Sequence, residues 1–242
     1  MTASTPARSA DRSLRPETVK HYLETIFYIQ FEEPSVRPGR IAEWVGVSAP
    51  TISVTLKRLA ADGWITVGGD RTVRLTDRGR ELAESIVRTH RLLERWLTDS
   101  LGMDWASADQ AAQEIAPGVS DEVAARLDEH LGHPRTCPHG NVIPGRSAPY
   151  GALSSLAELA AGTPAVVRRI SEVAEHDAPD LLRRLDGHGV ITGAVVEVAE
   201  RMPGADAVSI MVDDRSLALG QDIAALIWVE PIRSTPARRA SR

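Results

Sequence analysis

In THRLLER, residues 89–95, a histidine and a glutamate stand four apart, His90 and Glu94. On a helix, positions i and i+4 share a face. An imidazole and a carboxylate together suit a divalent first-row transition metal. The same spacing also serves a hydrogen-bonded pair or a solvated face, so further donors must converge before it becomes a site. Asp109 falls on the next helical segment, and SEVAEHD supplies Glu172 and Glu175 at i, i+3 spacing. CPHG supplies Cys137 and His139, but the turn formers around them favour a turn over a metal cage.

A second chemistry is written in SAPTISVTLKR, residues 48–58. A helix that reads DNA presents short side chains at its N-terminus, so that its backbone approaches base edges in the major groove. Ser48, Ala49, Pro50, Thr51 and Ser53 meet that demand. Pro50 can rest on a thymine methyl, and the hydroxyls can reach phosphates or bases. Lys57 and Arg58 are better placed for phosphates, and Arg71 and Arg74 follow on a hairpin. A Ser/Thr-rich helix start is also an ordinary cap, so the flanking elements must agree.

They do agree. Val19, Tyr22, Leu23, Ile26 and Phe27 follow helical spacing from Pro16 to about Glu33. Residues 37–48 hold a short helix with Ile41, Ala42 and Val45 inward, ending at Gly46. The 48–64 helix buries Ile52, Leu56 and Leu59, and residues 64–76 alternate around Gly68–Gly69–Asp70 as a β-hairpin. This is the order of a winged helix-turn-helix. A long helix then runs from Thr76 to about Leu101, and another from about 105 to 131, broken at Pro117–Gly118. After a Pro/Gly-rich stretch, short β-branched alternating segments predict a small β-barrel: PAVVRRISEV, ITGAVVEVAER, AVSIMVDD, RSLALG and AALIWVE. One helix, about 178–188, separates the first two.

The fold class is therefore α+β. The divisions are a disordered tail at 1–15, a winged helix at 16–76, a helical region at 77–132, a linker at 133–151, a small β-barrel at 152–232 and a disordered tail at 233–242. The 242 residues carry a net charge of −5. Residues 1–80 hold 12 Lys+Arg against 9 Asp+Glu, and the remainder 16 against 24, so a mildly basic N-terminal part sits on an acidic body. No apolar run is long enough to cross a membrane, and the N-terminal segment reads as no secretory signal. The single cysteine, Cys137, excludes an intrachain disulfide and fits a reducing cytoplasm.

Taken together, IAEWVGVSAPTISVTLKRLAADGWI, DRTVRLTDRGRELA, THRLLERWLTDSLGMDW, VSDEV and CPHGNVIPG resemble the diphtheria-toxin-repressor family of metal-dependent bacterial repressors, over about residues 16–232. The resemblance implies a homodimer that binds palindromic operator DNA when iron(II) or manganese(II) is bound, with zinc, cobalt or nickel as possible substitutes in vitro. It implies that residues 16–76 are the DNA-binding domain, 77–132 a helical dimerization domain and 152–232 an SH3-like (FeoA-like) domain. It also implies a cytoplasmic location, no membrane and no small-molecule substrate. Ser48 and Pro50 match residues that touch thymine methyls, and Thr51, Ser53, Arg58 and Arg71 match phosphate contacts. Val54 stands where iron-type members often carry glutamine.

The same resemblance divides the metal ligands. His90 and Glu94 match two ligands of the ancillary site, Asp109 replaces a third histidine, and Glu172 and Glu175 resemble the pair from the SH3-like domain. The primary site does not carry over. Gln113 falls where a Cys or Glu ligand belongs, Ala116 and Pro117 fall where Glu and His belong, and His21 takes a position held by Met or Asp. Alanine has no donor and proline only a carbonyl. Two other readings follow: a metal-independent regulator of the same build, and a metallohydrolase using His90, Glu94 and water. No general base or oxyanion element accompanies that pair.

Overall fold

The computed structural model describes residues 14–172, 176, 179–202, 204 and 206–232, so most of both tails, and Glu175, lie outside the described residues. The chain divides into two compact units, Met1–Ile86 and Val87–Arg242.

The first unit contains α1 (Pro16–Glu32), α2 (Pro38–Val45), α3 (Ala49–Ala61), β1 (Ile65–Val67) and β2 (Val73–Leu75). Leu23, Ile26, Ile29, Ile41, Leu59 and Ile65 are fully buried between them. Each such side chain contributes roughly 1.5–3 kcal/mol. The turn before α3 needs a left-handed residue, and Gly46 supplies it at φ 70°. Ser48 caps α3 by accepting from the Thr51 backbone N–H at 3.4 Å. Ile52, Leu56 and Leu59 are buried as the spacing predicts. On α2 the structure corrects the expectation that Val45 faces inward. Trp44 is buried instead, stacking near Tyr28 at 6.4 Å between ring centres. At a 3.6-residue period both neighbours border the buried stripe, and the larger ring takes it. The hairpin pairs Ile65 with Leu75 and Val67 with Val73. Asp70 sets its turn, accepting from the Thr72 N–H at 3.0 Å and hydroxyl at 2.6 Å, while Arg71 takes φ 66°.

The long helix α4 (Asp77–Leu101) begins in the first unit and ends in the second. There α5 (Trp105–Ile115), a 3-10 turn (Ala116–Gly118) and α6 (Asp121–His130) follow it. Asp104 and Ser120 cap α5 and α6. Leu93, Leu97, Ala108 and Ala112 form the core joining α4 to α5.

The remaining strands are β3 (Ser154–Ser155), β4 (Pro164–Ile170), β5 (Val195–Met202), β6 (Ala207–Val212), β7 (Arg215–Gly220) and β8 (Ile227–Pro231). They form one antiparallel sheet in the order β3-β8-β4-β5-β6-β7, with α7 (Pro179–Gly187) between β4 and β5 and α8 (Gln221–Ala225) before β8. Register shifts at Val167/Arg169 and Val198/Glu200 let the sheet curl over a core that includes Ile170, Leu182, Leu185, Val196, Ile210 and Val229. The sequence pattern carries the first of these strands through Val173, but β4 stops at Ile170. Ser171 turns its N–H to the Leu226 carbonyl at 2.9 Å, and Glu172 leaves the sheet. The architecture is α+β: a winged helix, a helical region and an SH3-like sheet.

Candidate metal centre and nucleic-acid interface

On α3 the split between faces follows from its period. Ile52, Thr55, Leu56 and Leu59 are buried, which leaves Ser48, Pro50, Thr51, Ser53, Val54, Lys57 and Arg58 exposed together. Arg71 and Arg74 are exposed on the hairpin. The Ser48 and Thr51 hydroxyls lie 2.9 Å apart, so one donor direction remains available to an outside acceptor. These side chains are short at the helix start and cationic further on, an arrangement fitted to base edges and phosphates respectively.

In the second unit the metal-ligating types gather around one carboxylate. Glu94 is 1% exposed and His90 5%, both on α4. His90 Nε2 lies 3.7 Å from Glu94 Oε2 and 3.3 Å from Asp109 Oδ1 on α5. The Asp109 side chain is one-third exposed, so this group reaches solvent on that side. The other Glu94 oxygen, Oε1, lies 3.0 Å from His139 Nδ1, and Cys137 Sγ lies 3.9 Å from the same nitrogen. Two groups of ligand atoms result, His90–Glu94–Asp109 and Glu94–Cys137–His139. Within each, all atoms lie within 4.8 Å of one another.

Cys137 and His139 are the residues that sequence reasoning set aside as a turn in a linker. CPHG is a turn, closed by the Gly140 N–H on the Cys137 carbonyl at 3.0 Å, but a buried one. Four hydrogen bonds pin it: Ile170 N–H to the His139 carbonyl, Asn141 Nδ2 to the Ile170 carbonyl, Tyr150 Oη to the Gly140 carbonyl and Thr192 Oγ1 to the Pro138 carbonyl, all at 2.8–3.0 Å. Gly140, at φ 88°, lies so close to β4 that a Cβ there would come within 1.9 Å of the Arg168 carbonyl oxygen. The Trp105 ring meets His139 edge-on at 4.9 Å and fixes its plane.

The remaining candidates go elsewhere. Glu172 is buried but joins neither group; its carboxylate accepts from Arg91, whose guanidinium also donates to the Val142 carbonyl. Gln113 is exposed on α5, and Ala116 and Pro117 occupy the 3-10 turn with no side-chain donor. His21 is exposed on α1 of the first unit, whereas both ligand groups lie wholly in the second.

Burial is the largest influence on Glu94 and pushes its carboxyl up. The His90 charge, the His139 hydrogen bond and Arg91 together outweigh it and hold the group below the ordinary carboxylate range. Burial lifts Glu172 above that range, beyond what Arg91 offsets, with Glu94 adding repulsion. Glu94 is thus the carboxylate kept charged. The donor set fits a transition metal. Bonds of roughly 2.0–2.3 Å from nitrogen, oxygen and sulfur place neighbouring ligand atoms about 3–4 Å apart, which is the spacing seen. A divalent ion held by these residues would supply the positive charge needed for Glu94, Asp109 and a Cys137 thiolate to share this pocket.

Residues 16–73 match the family model of the iron-dependent repressor N-terminal DNA-binding domain. Residues 76–145 match that of the iron-dependent repressor metal-binding and dimerisation domain, and residues 154–231 that of the FeoA domain. The chain is 36% identical over 227 residues to the iron-dependent repressor IdeR of Mycobacterium tuberculosis (strain CDC 1551 / Oshkosh), covering 89% of this chain and 98% of the relative. It is 35% identical over 196 residues to the diphtheria toxin repressor of Corynebacterium diphtheriae, covering 76% and 85%. A solved manganese-dependent transcriptional repressor in complex with manganese superposes with a TM-score of 0.78 at 33% identity, covering 88% of this chain and all of that one. With the winged helix, the helical region and the FeoA-type sheet in the same order, the chain belongs to the iron-dependent repressor family, whose members are transcriptional regulators and not enzymes.

Proposed function

We propose that this chain is a homodimeric transcriptional repressor that binds palindromic operator DNA in response to a divalent transition metal, iron(II) or manganese(II). The observation that carries the reading is the pair of ligand groups sharing Glu94, set in a family of metal-dependent repressors. The working ligands are His90, Glu94, Asp109, Cys137 and His139. Glu172 supports the site through Arg91 instead of ligating. Ser48 and Pro50 contact bases, and Thr51, Ser53, Arg58 and Arg71 contact phosphates. None of the described helices is long and apolar enough to cross a membrane, and we place the protein in the cytoplasm, where operator DNA is.

The switch follows from linkage. A metal that binds the DNA-competent conformation more tightly shifts the population towards it, and bound DNA tightens the metal by the same factor. Such coupling is typically about 5–150-fold. The site that would carry it lies around Glu94 and not at Gln113, Ala116 and Pro117.

Selection from a random duplex library with manganese-loaded protein gives the operator. Fluorescence anisotropy on the selected duplex then compares manganese, iron(II) and a chelator. The expected result is a palindrome bound at least about fivefold more tightly with metal, with a steep salt dependence. Equal affinity in chelator would overturn the metal switch, and no sequence selection would overturn the repressor.

A further inference from the structure

We propose that a cleft behind the wing of the first unit binds a small organic anion bearing a phosphate group, and that its occupation weakens operator binding. The second half rests on the operator-binding reading above.

The cleft has a volume of about 260 Å³ and lies wholly within the first unit, between the end of α1, the connection at 34–36, β2 and the start of α4. Val73 donates its N–H to the Val36 carbonyl at 3.0 Å, which holds that connection against β2. Val36, Val73 and Leu75 are all buried and give the cleft an apolar floor. Polar groups complete the lining. Gln30 brings an amide, Ser35 a hydroxyl, and Arg74 and Arg80 bring exposed guanidinium groups from β2 and α4. The one carboxylate in the lining, Glu33, is already taken by Arg40, whose Nε lies 2.8 Å from its Oε1.

Among the described residues, neither Arg74 nor Arg80 has a hydrogen bond or ion pair on its guanidinium. Arg80 also sits in the first turn of α4, which begins at Asp77. The N–H groups at that end of a helix carry partial positive charge, so a cation there is disfavoured and an anion beside it is favoured. Guanidinium forks match phosphate oxygens in pairs and stay charged at any working pH. A DNA backbone phosphate would use the cations alone. The apolar floor fits instead an ester whose short carbon chain covers Val36, Val73 and Leu75. A volume just below the roughly 300–1,000 Å³ of drug-sized sites makes that ester a small one.

The consequence for DNA follows from charge. Arg74 pairs across the hairpin with Thr66 and stands on the same wing as Arg71, the proposed phosphate contact. An anion held there lowers the positive potential of the wing, so DNA phosphates are attracted less.

Calorimetric titration of glycerol 3-phosphate and of inorganic phosphate into the full, metal-free chain tests the site. Glycerol 3-phosphate should bind with a Kd of about 1 mM or tighter, and inorganic phosphate more weakly because it leaves the floor bare. Arg74→Met and Arg80→Met should each weaken the ester about tenfold, as loss of a hydrogen bond to a charged group does. Arg126→Met, which removes an exposed charge from α6, should not. Circular dichroism checks the fold of each variant. Operator anisotropy with manganese-loaded protein, at fixed free manganese and matched ionic strength, reads the second half. The ester should weaken wild type at least about fivefold and leave Arg74→Met/Arg80→Met unchanged. No heat with either ligand, or an equal effect of Arg126→Met, would overturn the site. Inorganic phosphate binding as tightly as the ester would overturn the organic ligand. Loss of operator affinity in both variants without ester binding would give the cleft to the DNA backbone and overturn the proposal. Ester binding that leaves operator affinity unchanged would overturn the effector role. Operator binding absent under every condition would defeat the operator reading, with the calorimetry still deciding the site.

Discussion

Arg91 follows His90 in the sequence, yet its guanidinium serves the opposite sign, joining Glu172 and the Val142 carbonyl inside the second unit. Arg91→Met should destabilise the protein by about 3 kcal/mol, because it leaves a buried carboxylate without that cation. Arg91→Met/Glu172→Leu should recover most of the loss, as apolar replacements of buried pairs often do. Urea midpoints of the wild type, both single variants and the double variant measure this, and strict additivity would show that the pair is not coupled. On α3 the informative residue is Val54, which is 50% exposed beside Thr51 and Ser53. Glutamine there would offer a donor and an acceptor to an adenine edge. Val54→Gln should add a preference for one A·T pair worth about 1–3 kcal/mol and leave phosphate contacts unchanged. Repeating the library selection with the variant reads this directly. An unchanged consensus would take Val54 away from the bases.

At the scale of elements, Asp128 on α6 ties together α4, α6 and the segment after them. Its Oδ2 accepts from Arg88 at 2.7 Å, Arg146 at 2.6 Å and His133 at 3.0 Å. Burial pushes the Asp128 carboxyl up, but hydrogen bonds from His133 and Arg146 and the charge of Arg88 outweigh it and hold the group below the usual aspartate range. A depressed carboxyl contributes stability that is complete above its unfolded pKa and fades as pH falls through the folded one. Wild type should therefore exceed Asp128→Asn by about 2 kcal/mol at pH 6, from hydrogen bonds to a charged group, and the gap should close below about pH 4. Denaturation at both pH values checks it, and a gap that persisted in acid would exclude the charge as its source. Helices, caps and the hairpin were legible because their signals are local: the αL glycine at 46, the Ser48 cap, the turn around Asp70. His90, Glu94 and Asp109 were legible for the same reason, lying on predicted helices. Cys137 and His139 were not, since a Pro/Gly-rich stretch has no period, and its burial depends on partners about thirty residues away, at Ile170 and Arg168. The contact of Glu172 with Arg91 was not legible either, because nothing in the sequence brings together two residues 81 positions apart.

For the whole molecule, metal and folding are linked. At a free metal concentration a hundred times its Kd, the folded state gains about 2.7 kcal/mol. For a chain of this size that corresponds to roughly 5–10 °C in Tm. Calorimetry with manganese and with chelator should show this rise, and Glu94→Gln should abolish it more completely than Asp109→Ala. Association is the other property at this scale. Leu101, Ile115 and Val123 remain 55%, 43% and 49% exposed on α4, α5 and α6, too many large apolar groups for a purely solvated helical region. Ile115→Glu/Val123→Glu should shift sedimentation from dimer to monomer, and a dimer unaffected by both changes would place its interface elsewhere. The turn at Gly140 bears on where the chain can be cut. Its backbone is wedged against Arg168, and its neighbours are bonded to Ile170 and Thr192. Truncation after residue 151 would therefore do more than shed a C-terminal module. It would remove the roof of the Cys137–His139 turn, so a domain swap between relatives must carry residues 133–232 as one cassette.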